Sequence, residues 1–444
     1  MNFKLMEENI FNFLKSDPNF CLLTGINQNL GDLPDPGKNK AISNQGRLKM
    51  LSNKLAEIKK EELSFDEQVN YELWELILEQ KKIEFELEID KVPQHYRMPI
   101  AAGMISGPLF VLFINDPRDE KLRIVNIISR LEKVPEFLIS YKRSIYEPVE
   151  RWVKMELEKL SGLPEFFQNL VNWAKGCEFK NLGRLEKAVS KANIALEQYA
   201  NFLKVNSTSK NIFIGEEQMQ RVISSRGITL TPNELHKIAT EFIIENAKDV
   251  ENLRLKLVKK YELSNETTAE NLQTYLNKKY KVERQAGDEG SFDFVLERYQ
   301  AERKKILSFI KERDLFPVMD DQDMHIMQTP NFMKPSIPAG AMMEPLAMRE
   351  GIKKSLVYLT LSEELLDEHT EISIPSMMIH EGIPGHHLQL SWSATNDSPV
   401  RRIYSGMDLA EGWTTMLEDY ILDIGYAGDL EDELRFSGKR DIAR

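Results

Sequence analysis

The chain has 444 residues, 42% hydrophobic and 29% charged, so it is globular in composition and long enough to bury a large core. Its net charge of -12 argues against a nucleic-acid partner and against a basic membrane-surface mode. Two cysteines, Cys21 and Cys177, make neither a disulfide framework nor a cysteine-rich metal site and fit a reducing compartment. The opening MNFKLMEENIFNFLKSD has early acids and no long apolar core, so it is not a secretory leader, and the expected location is cytoplasmic.

In chain order, residues 1–46 read as an N-terminal lead-in, with the Asn-, Gly- and Pro-rich stretch 26–46 as loop. Amphipathic helix follows over 47–90, carried by Leu51, Leu55 and Ile58 and then by Leu73, Leu76, Ile77 and Ile83. The apolar run 104–114 is interrupted by Gly107-Pro108, is too short to span a bilayer and reads as a buried segment. Helices continue over 119–205 with breaks expected at Pro135, Pro148 and Pro164.

Between 215 and 315 a second helical block begins. Thr231-Pro232-Asn233-Glu234 has the hydroxyl, proline and glutamate of a helix start. Residues 267–280 form another helix, 287–291 break the pattern and 292–314 resume it. Residues 318–348 hold seven of the eighteen methionines and read as adaptable core. Residues 355–361 are the predicted strand. A helical segment carrying His380, a polar loop at 393–399 and a helix over 407–424 complete the order. The closing LRFSGKRDIAR has no helix stop, and the expectation is that the chain is a fragment of a longer protein.

The chemistry concentrates in His380-Glu381-Gly382-Ile383-Pro384-Gly385-His386-His387. A histidine followed by glutamate opens the zinc-protease pattern H-E-x-x-H, but Pro384 stands where the second ligand should be. On an unbroken helix, His386 lies ~240° around and ~9 Å up from His380, and His387 lies ~10.5 Å up, so neither shares an ion with it. Pro384 and Gly385 can interrupt the helix and bring a later histidine back over the metal. The segment therefore reads as an expanded H-E-x-x-H with an inserted bulge. His386 is the favoured second ligand because other zinc peptidases place Gly directly before it: H-E-x-G-H in thimet-oligopeptidase-like enzymes, H-E-x-x-G-H in dipeptidyl peptidase III. His387 is the alternative; whichever does not ligate is expected in the cleft, against substrate or a ligand. A third ligand is expected from Glu411, with Glu418, seven residues on and on the same helix face, orienting a histidine. One zinc ion on His380, His386 and Glu411 would then serve Glu381 as general base, with His387 as a second catalytic residue. The strand 355–361 is expected to bind the peptide substrate by strand addition.

The string H-E-x-x-P-G-H-H-L-Q over 380–389, with Glu411-Gly412-Trp413 at its spacing, resembles the bacterial family called domain of unknown function 885. That family looks like a branch of the gluzincin metallopeptidases. Arg130 to Pro135 and Asp314 to Pro317 carry a weaker likeness. The resemblance implies a mainly α, multi-helical, zincin-like metallopeptidase with a small β element near the active site. It also implies one α-rich unit in which 47–315 is the helical region and 316–444 the zinc-binding catalytic region. The implied activity is hydrolysis of oligopeptides. A non-catalytic helical interaction protein with an incomplete zinc site, and a zinc hydrolase of non-peptide amides, are the alternatives. His95, His236, His325 and His369 read as structural or exposed, and Cys177 as a buried, unreactive thiol.

Overall fold

The computed structural model describes residues 2–284, 290–319, 322–334, 337, 339–404 and 406–442. Most of the break expected at 287–291 lies outside them, as do Pro335 and Pro338 of the methionine-rich stretch.

The chain opens with α1 (Phe3–Leu14) and α2 (Pro18–Thr24). Phe3, Met6, Ile10 and Phe13 recur at helical spacing and are buried against α3 (Lys38–Ala56) and α4 (Phe65–Glu86). This corrects the lead-in reading of 1–46: two helices of it belong to the core, and the irregular part shrinks to 25–37. A short hairpin of β1 (Glu88–Ile89) and β2 (Val92–Pro93) leads through α5 (Gln94–Arg97) to α6 (Ala101–Phe110). The apolar run 104–114 ends in a π-helical turn, Val111–Asn115, and is largely buried as expected.

Three long helices follow: α7 (Glu120–Lys142), α8 (Glu150–Gly176) and α9 (Leu182–Val205). Pro135 and Pro164 lie inside α7 and α8 and do not end them, contrary to expectation; only Pro148 falls between helices. Each proline removes one backbone donor, but Val134 and Leu138, and Leu163 and Phe167, are buried on either side, and that packing holds both helices through the defect. Next come α10 (Glu216–Ser224), α11 (Pro232–Lys260), α12 (Ala269–Lys279) and α13 (Asp293–Glu312). The expected capping box starts α11: Glu234 N donates to the Thr231 hydroxyl at 3.2 Å, and Thr231 N donates to the Glu234 carboxylate at 2.8 Å.

The sheet that positions the site has the order β3 (Gln322–Gln328), β5 (Lys353–Leu359), β4 (Gly340–Met343). Strand β5 is parallel to β3 and antiparallel to β4. Its residues 355–359 are all buried, the near-continuous pattern of a central strand. Alternation sends Leu356 and Tyr358 into the core built by α6 to α9, and Val357 and Leu359 into a second core with Val295 and Ile306 of α13. One strand thus serves both cores, so the expected regions 47–315 and 316–444 are joined by shared packing.

The remaining elements are α14 (Ile374–Met377), a π-helical turn (Met378–Gly382), α15 (His386–Ser393), α16 (Pro399–Ile403), α17 (Met407–Asp423) and α18 (Glu431–Ile442). The architecture is mainly helical, with this small sheet beside the His-Glu turn. Among the described residues no helix is long and apolar enough to cross a membrane.

Candidate metal centre

His380 and Glu381 lie in the π-helical turn that extends α14, and Met378 and Ile379 of that turn are buried in the second core. The helix stops at Gly382, the Ile383–Pro384 bond is cis, and helix resumes at His386 with Gly385 as its cap. The inserted residues therefore separate two helices; they do not bulge from one. Gly385 is required by space: a Cβ there would stand 1.9 Å from the His380 carbonyl oxygen and 2.2 Å from that of Ile379. The indole N–H of Trp413 donates to the Pro384 carbonyl at 3.0 Å and ties the break to α17.

This path brings the two imidazoles together, ring centres 5.0 Å apart and nearly perpendicular. Glu411 Oε2 lies 3.5 Å from His380 Nε2 and 3.6 Å from His386 Nε2. The three ligand-type atoms fall within 4.8 Å of one another, and no other such cluster of three or more occurs among the described residues. Donors on one tetrahedral zinc at 2.0–2.2 Å are separated by roughly 3.3–3.5 Å, so these residues fit a single ion with little movement. The Glu411 side chain is 51% exposed, which leaves the set open to solvent on one side, as a site with a free coordination position requires.

Behind the cluster, Glu418 Oε1 meets His380 Nδ1 at 2.7 Å, and Ser376 donates to Oε2 of the same carboxylate at 3.4 Å. Glu418 thus fixes which His380 nitrogen faces the cluster. The Thr414 hydroxyl donates to the Glu411 carbonyl at 2.9 Å and lies 3.3 Å from His380 Nε2. Burial opposes a charge on His380, but the Glu418 hydrogen bond with Glu381 and Glu411 outweighs it and raises its pKa. The cluster is therefore an environment that favours positive charge. Burial, then the neighbouring His380, lower His386, and this favours the neutral imidazole that a metal needs. Its Nδ1 is buried without a hydrogen-bond partner among the described residues.

Glu381 follows His380 directly and is half-buried. Burial raises its carboxyl above the ordinary range; His380 opposes this, Glu411 and Glu418 reinforce it, and the Met342 backbone N–H of β4 lowers it again. A carboxylate so raised is a stronger base than a free one.

His387 does not occupy the cleft position expected of it. It is fully buried, its Nδ1 lies 2.7 Å from the Ser355 hydroxyl of β5, and burial, then Arg303, push its pKa down to about 4. Its place beside His386 in sequence misled because the break at 383–385 resets the helix phase, so His386 turns to Glu411 and His387 to the sheet. His387 packs α15 onto β5 and lies outside the cluster of His380, His386 and Glu411. The strand expected to bind substrate also needs correction: β5 has neighbours on both edges, and the free edge beside Glu381 belongs to β4. Of the other histidines, His236 and His325 are exposed, His95 is half-buried, and buried His369 pairs with the Tyr299 hydroxyl at 2.9 Å. Cys177 is half-buried, not buried, and its thiol is pushed up to about 11, first by burial and then by Glu120. Spacing arguments alone did not reveal Trp413 as an anchor, Ser355 as a partner or Met342 as the strand contact.

A family model described as bacterial protein of unknown function (DUF885) matches residues 18–438. The chain belongs to this family. DUF885 is thus the right family for the 380–389 string, while its description assigns no activity. No curated protein sequence matches the chain. Among solved structures, a lipoprotein candidate of unknown function from Shewanella oneidensis is similar at a TM-score of 0.72 and 16% identity, over 99% of this chain and 81% of that one. A lipoprotein candidate from Colwellia psychrerythraea is similar at a TM-score of 0.77 and 13% identity, over 100% of this chain and 81% of that one. At such identities the likeness is one of fold.

Proposed function

We propose that this DUF885 protein is a zinc-dependent peptidase in which His380, His386 and Glu411 hold the metal and Glu381 is the general base. The observation that carries the reading is the convergence of those three donors, drawn from three separate helical segments, next to a carboxylate whose proton affinity is raised. A bound zinc would supply a Lewis acid for a carbonyl and lower the pKa of a water. Glu381 takes the proton from the attacking water and returns it to the departing amine. Glu418 holds His380 in one tautomer throughout. The edge of β4 away from β5 carries the Met342 N–H that meets Glu381, and its Gly340 main-chain groups and Met342 carbonyl offer hydrogen bonds to an extended peptide, which favours peptides over other amides. The two unpaired cysteines support action in a reducing compartment such as the cytoplasm; the lipoprotein description belongs to the structural neighbours.

Metal analysis of the purified protein with peptide hydrolysis tests this. The expected result is about one zinc per chain, lost in His380→Ala and Glu411→Ala and kept in Glu381→Gln, with hydrolysis lost in all three. A native chain that takes up no zinc, or a Glu381→Gln variant as active as the native one, would overturn it.

A further inference from the structure

His380, Glu381 and Glu418 form part of the wall of a cavity of about 310 Å³, which neither His386 nor Glu411 lines. Its volume is at the lower end of ligand pockets, roughly 300–1,000 Å³. The end of the sheet contributes Ala339 and Thr360, joined by the Thr360 N–H donating to the Ala339 carbonyl at 2.8 Å. Helix α18 contributes Ser437 and Gly438. A Cβ added to Gly438 would lie 3.6 Å from both Glu418 Oε2 and the Ser376 hydroxyl, so this glycine leaves open the space next to them. The chemistry proposed above uses Glu381 and Glu418 and gives that space no role.

Most hydroxyls on the wall have spent their protons inside the protein. Ser373 donates to the Glu368 carbonyl at 2.6 Å, Ser376 to Glu418 Oε2 at 3.4 Å, and Thr360 to the Ile337 carbonyl at 2.6 Å. His369, kept neutral by burial, donates to the Thr360 carbonyl, so its Nδ1 accepts the Tyr299 proton at 2.9 Å. Ser437 accepts from Gln273 Nε2 at 3.2 Å and alone among these hydroxyls keeps a proton to offer. What remains towards the cavity is acceptors: hydroxyl oxygens and the carboxylates of Glu368, Glu381 and Glu418. Among the described residues no lysine or arginine lines it. Arg440 lines a separate cavity, which shares Glu368, Ser373 and Ser437 with this one. A zinc ion on the ligands would not reverse the sign, because the carboxylates of Glu381, Glu411 and Glu418 outweigh its double charge.

A group that suits such a wall donates hydrogen bonds and accepts none. Carboxylates and amides carry acceptors that would stand against the wall's own, whereas a lysine ammonium or an arginine guanidinium only donates. Ala339, Leu365 and Met377 supply apolar wall for the methylene stem that carries such a group. We propose that this cavity is a side-chain subsite next to the scissile bond and that it selects peptides with a basic residue there. This rests on the peptidase reading above and adds a substrate class to it.

The test is binding to zinc-loaded protein, followed calorimetrically, with zinc content measured on each sample. Two series of hydroxamates serve as probes, each with a lysine, a norleucine and a glycine member. N-acetyl-amino-acid hydroxamates place the residue before the zinc-binding group, and malonyl hydroxamates of amino-acid amides place it after. Norleucine keeps the stem of lysine without its charge. In one series lysine is expected to bind roughly tenfold or more tightly than norleucine, as suits charge-assisted hydrogen bonds. Gly438→Val fills the space beside Glu418 and Ser376. It is expected to bring the lysine probe down to the affinity of the glycine probe, with the glycine probe and zinc content unchanged. Equal or tighter binding of norleucine in both series, or a lysine preference that survives Gly438→Val at unchanged zinc content, overturns the assignment and leaves the zinc site standing. If Gly438→Val loses zinc or does not fold, Glu368→Gln decides, since Glu368 is exposed and holds no metal. The lysine preference should then fall by roughly threefold, the scale of one exposed charge, and a preference of native size overturns the assignment. Loss of zinc from the native protein, or failure of every probe to bind, glycine included, removes the peptidase reading together with this one.

Discussion

Gly385 carries more of the proposed chemistry than any side chain it lacks. Pro384 and Gly385 were legible as a helix interruption because their backbone limits are local and need no tertiary information. What the spacing could not convey is that the interruption separates two helices, with the carbonyls of Ile379 and His380 packed against the Gly385 Cα. A methyl group there must push α15 away from the π-helical turn, and His386 moves with it. Gly385→Ala is therefore expected to weaken zinc binding by at least tenfold, since a displaced ligand costs as much as a lost supporting contact. Competition with a chromophoric chelator measures it, and native-like affinity in the variant would show that the loop yields without moving His386. The same break explains His387. Two adjacent histidines look equivalent in sequence, and only the contact with Ser355 distinguishes the one that packs from the one that faces the cleft.

At the scale of elements, long amphipathic helices and the apolar run of β5 were readable, and β4 was not. Thr231 and Glu234 announce α11 through chemistry that acts within four residues. Strand β4 has four residues, two of them Met and one Gly, and only its ladder with β5 makes it a strand. Start and stop signals can also come from distant residues. Helix α6 has no side chain of its own capping its start, and Glu156 of α8 instead accepts the Ala102 N–H at 2.8 Å. This carboxyl is 2% exposed, and burial raises it to about 7 against the ordinary 4.5. Its folded pKa is the higher one, so the folded state binds the proton more tightly. The contribution is fully present below pH 4.5 and is lost as pH rises to about 7. Above that pH the buried charge costs up to about 3 kcal/mol. Glu156→Gln keeps an acceptor for Ala102 and removes the charge. It is expected to be more stable than the native chain at pH 8, by up to that amount, and to show no gain at pH 5. Urea unfolding of both proteins at the two pH values gives the difference, and a gain of the same size at both would show that the carboxyl does not titrate as its burial requires.

For the molecule as a whole, the proposed ligands act as a clasp between three separate helical segments. His380 belongs to the turn after α14, His386 to α15 and Glu411 to α17, and the turn and α17 also share Met378, Ile379, Leu417 and Ile421 in one core. An ion that binds this arrangement and not the unfolded chain stabilises the fold by mass action, about 2.7 kcal/mol at a hundredfold excess over its dissociation constant. The gain is concentrated where the ligands are, because local opening of α15 or α17 would have to release the ion first. Amide exchange should therefore slow on zinc addition in the π-helical turn, α15 and α17. It should stay unchanged over residues 236–245 of α11, which are exposed throughout and share no core with the centre. The thermal midpoint should rise with zinc, return with a chelator, and be insensitive to both in His380→Ala. Uniform slowing of exchange along the chain, or a thermal shift that persists in His380→Ala, would mean that zinc acts elsewhere on the surface and that the three donors converge without serving as its site.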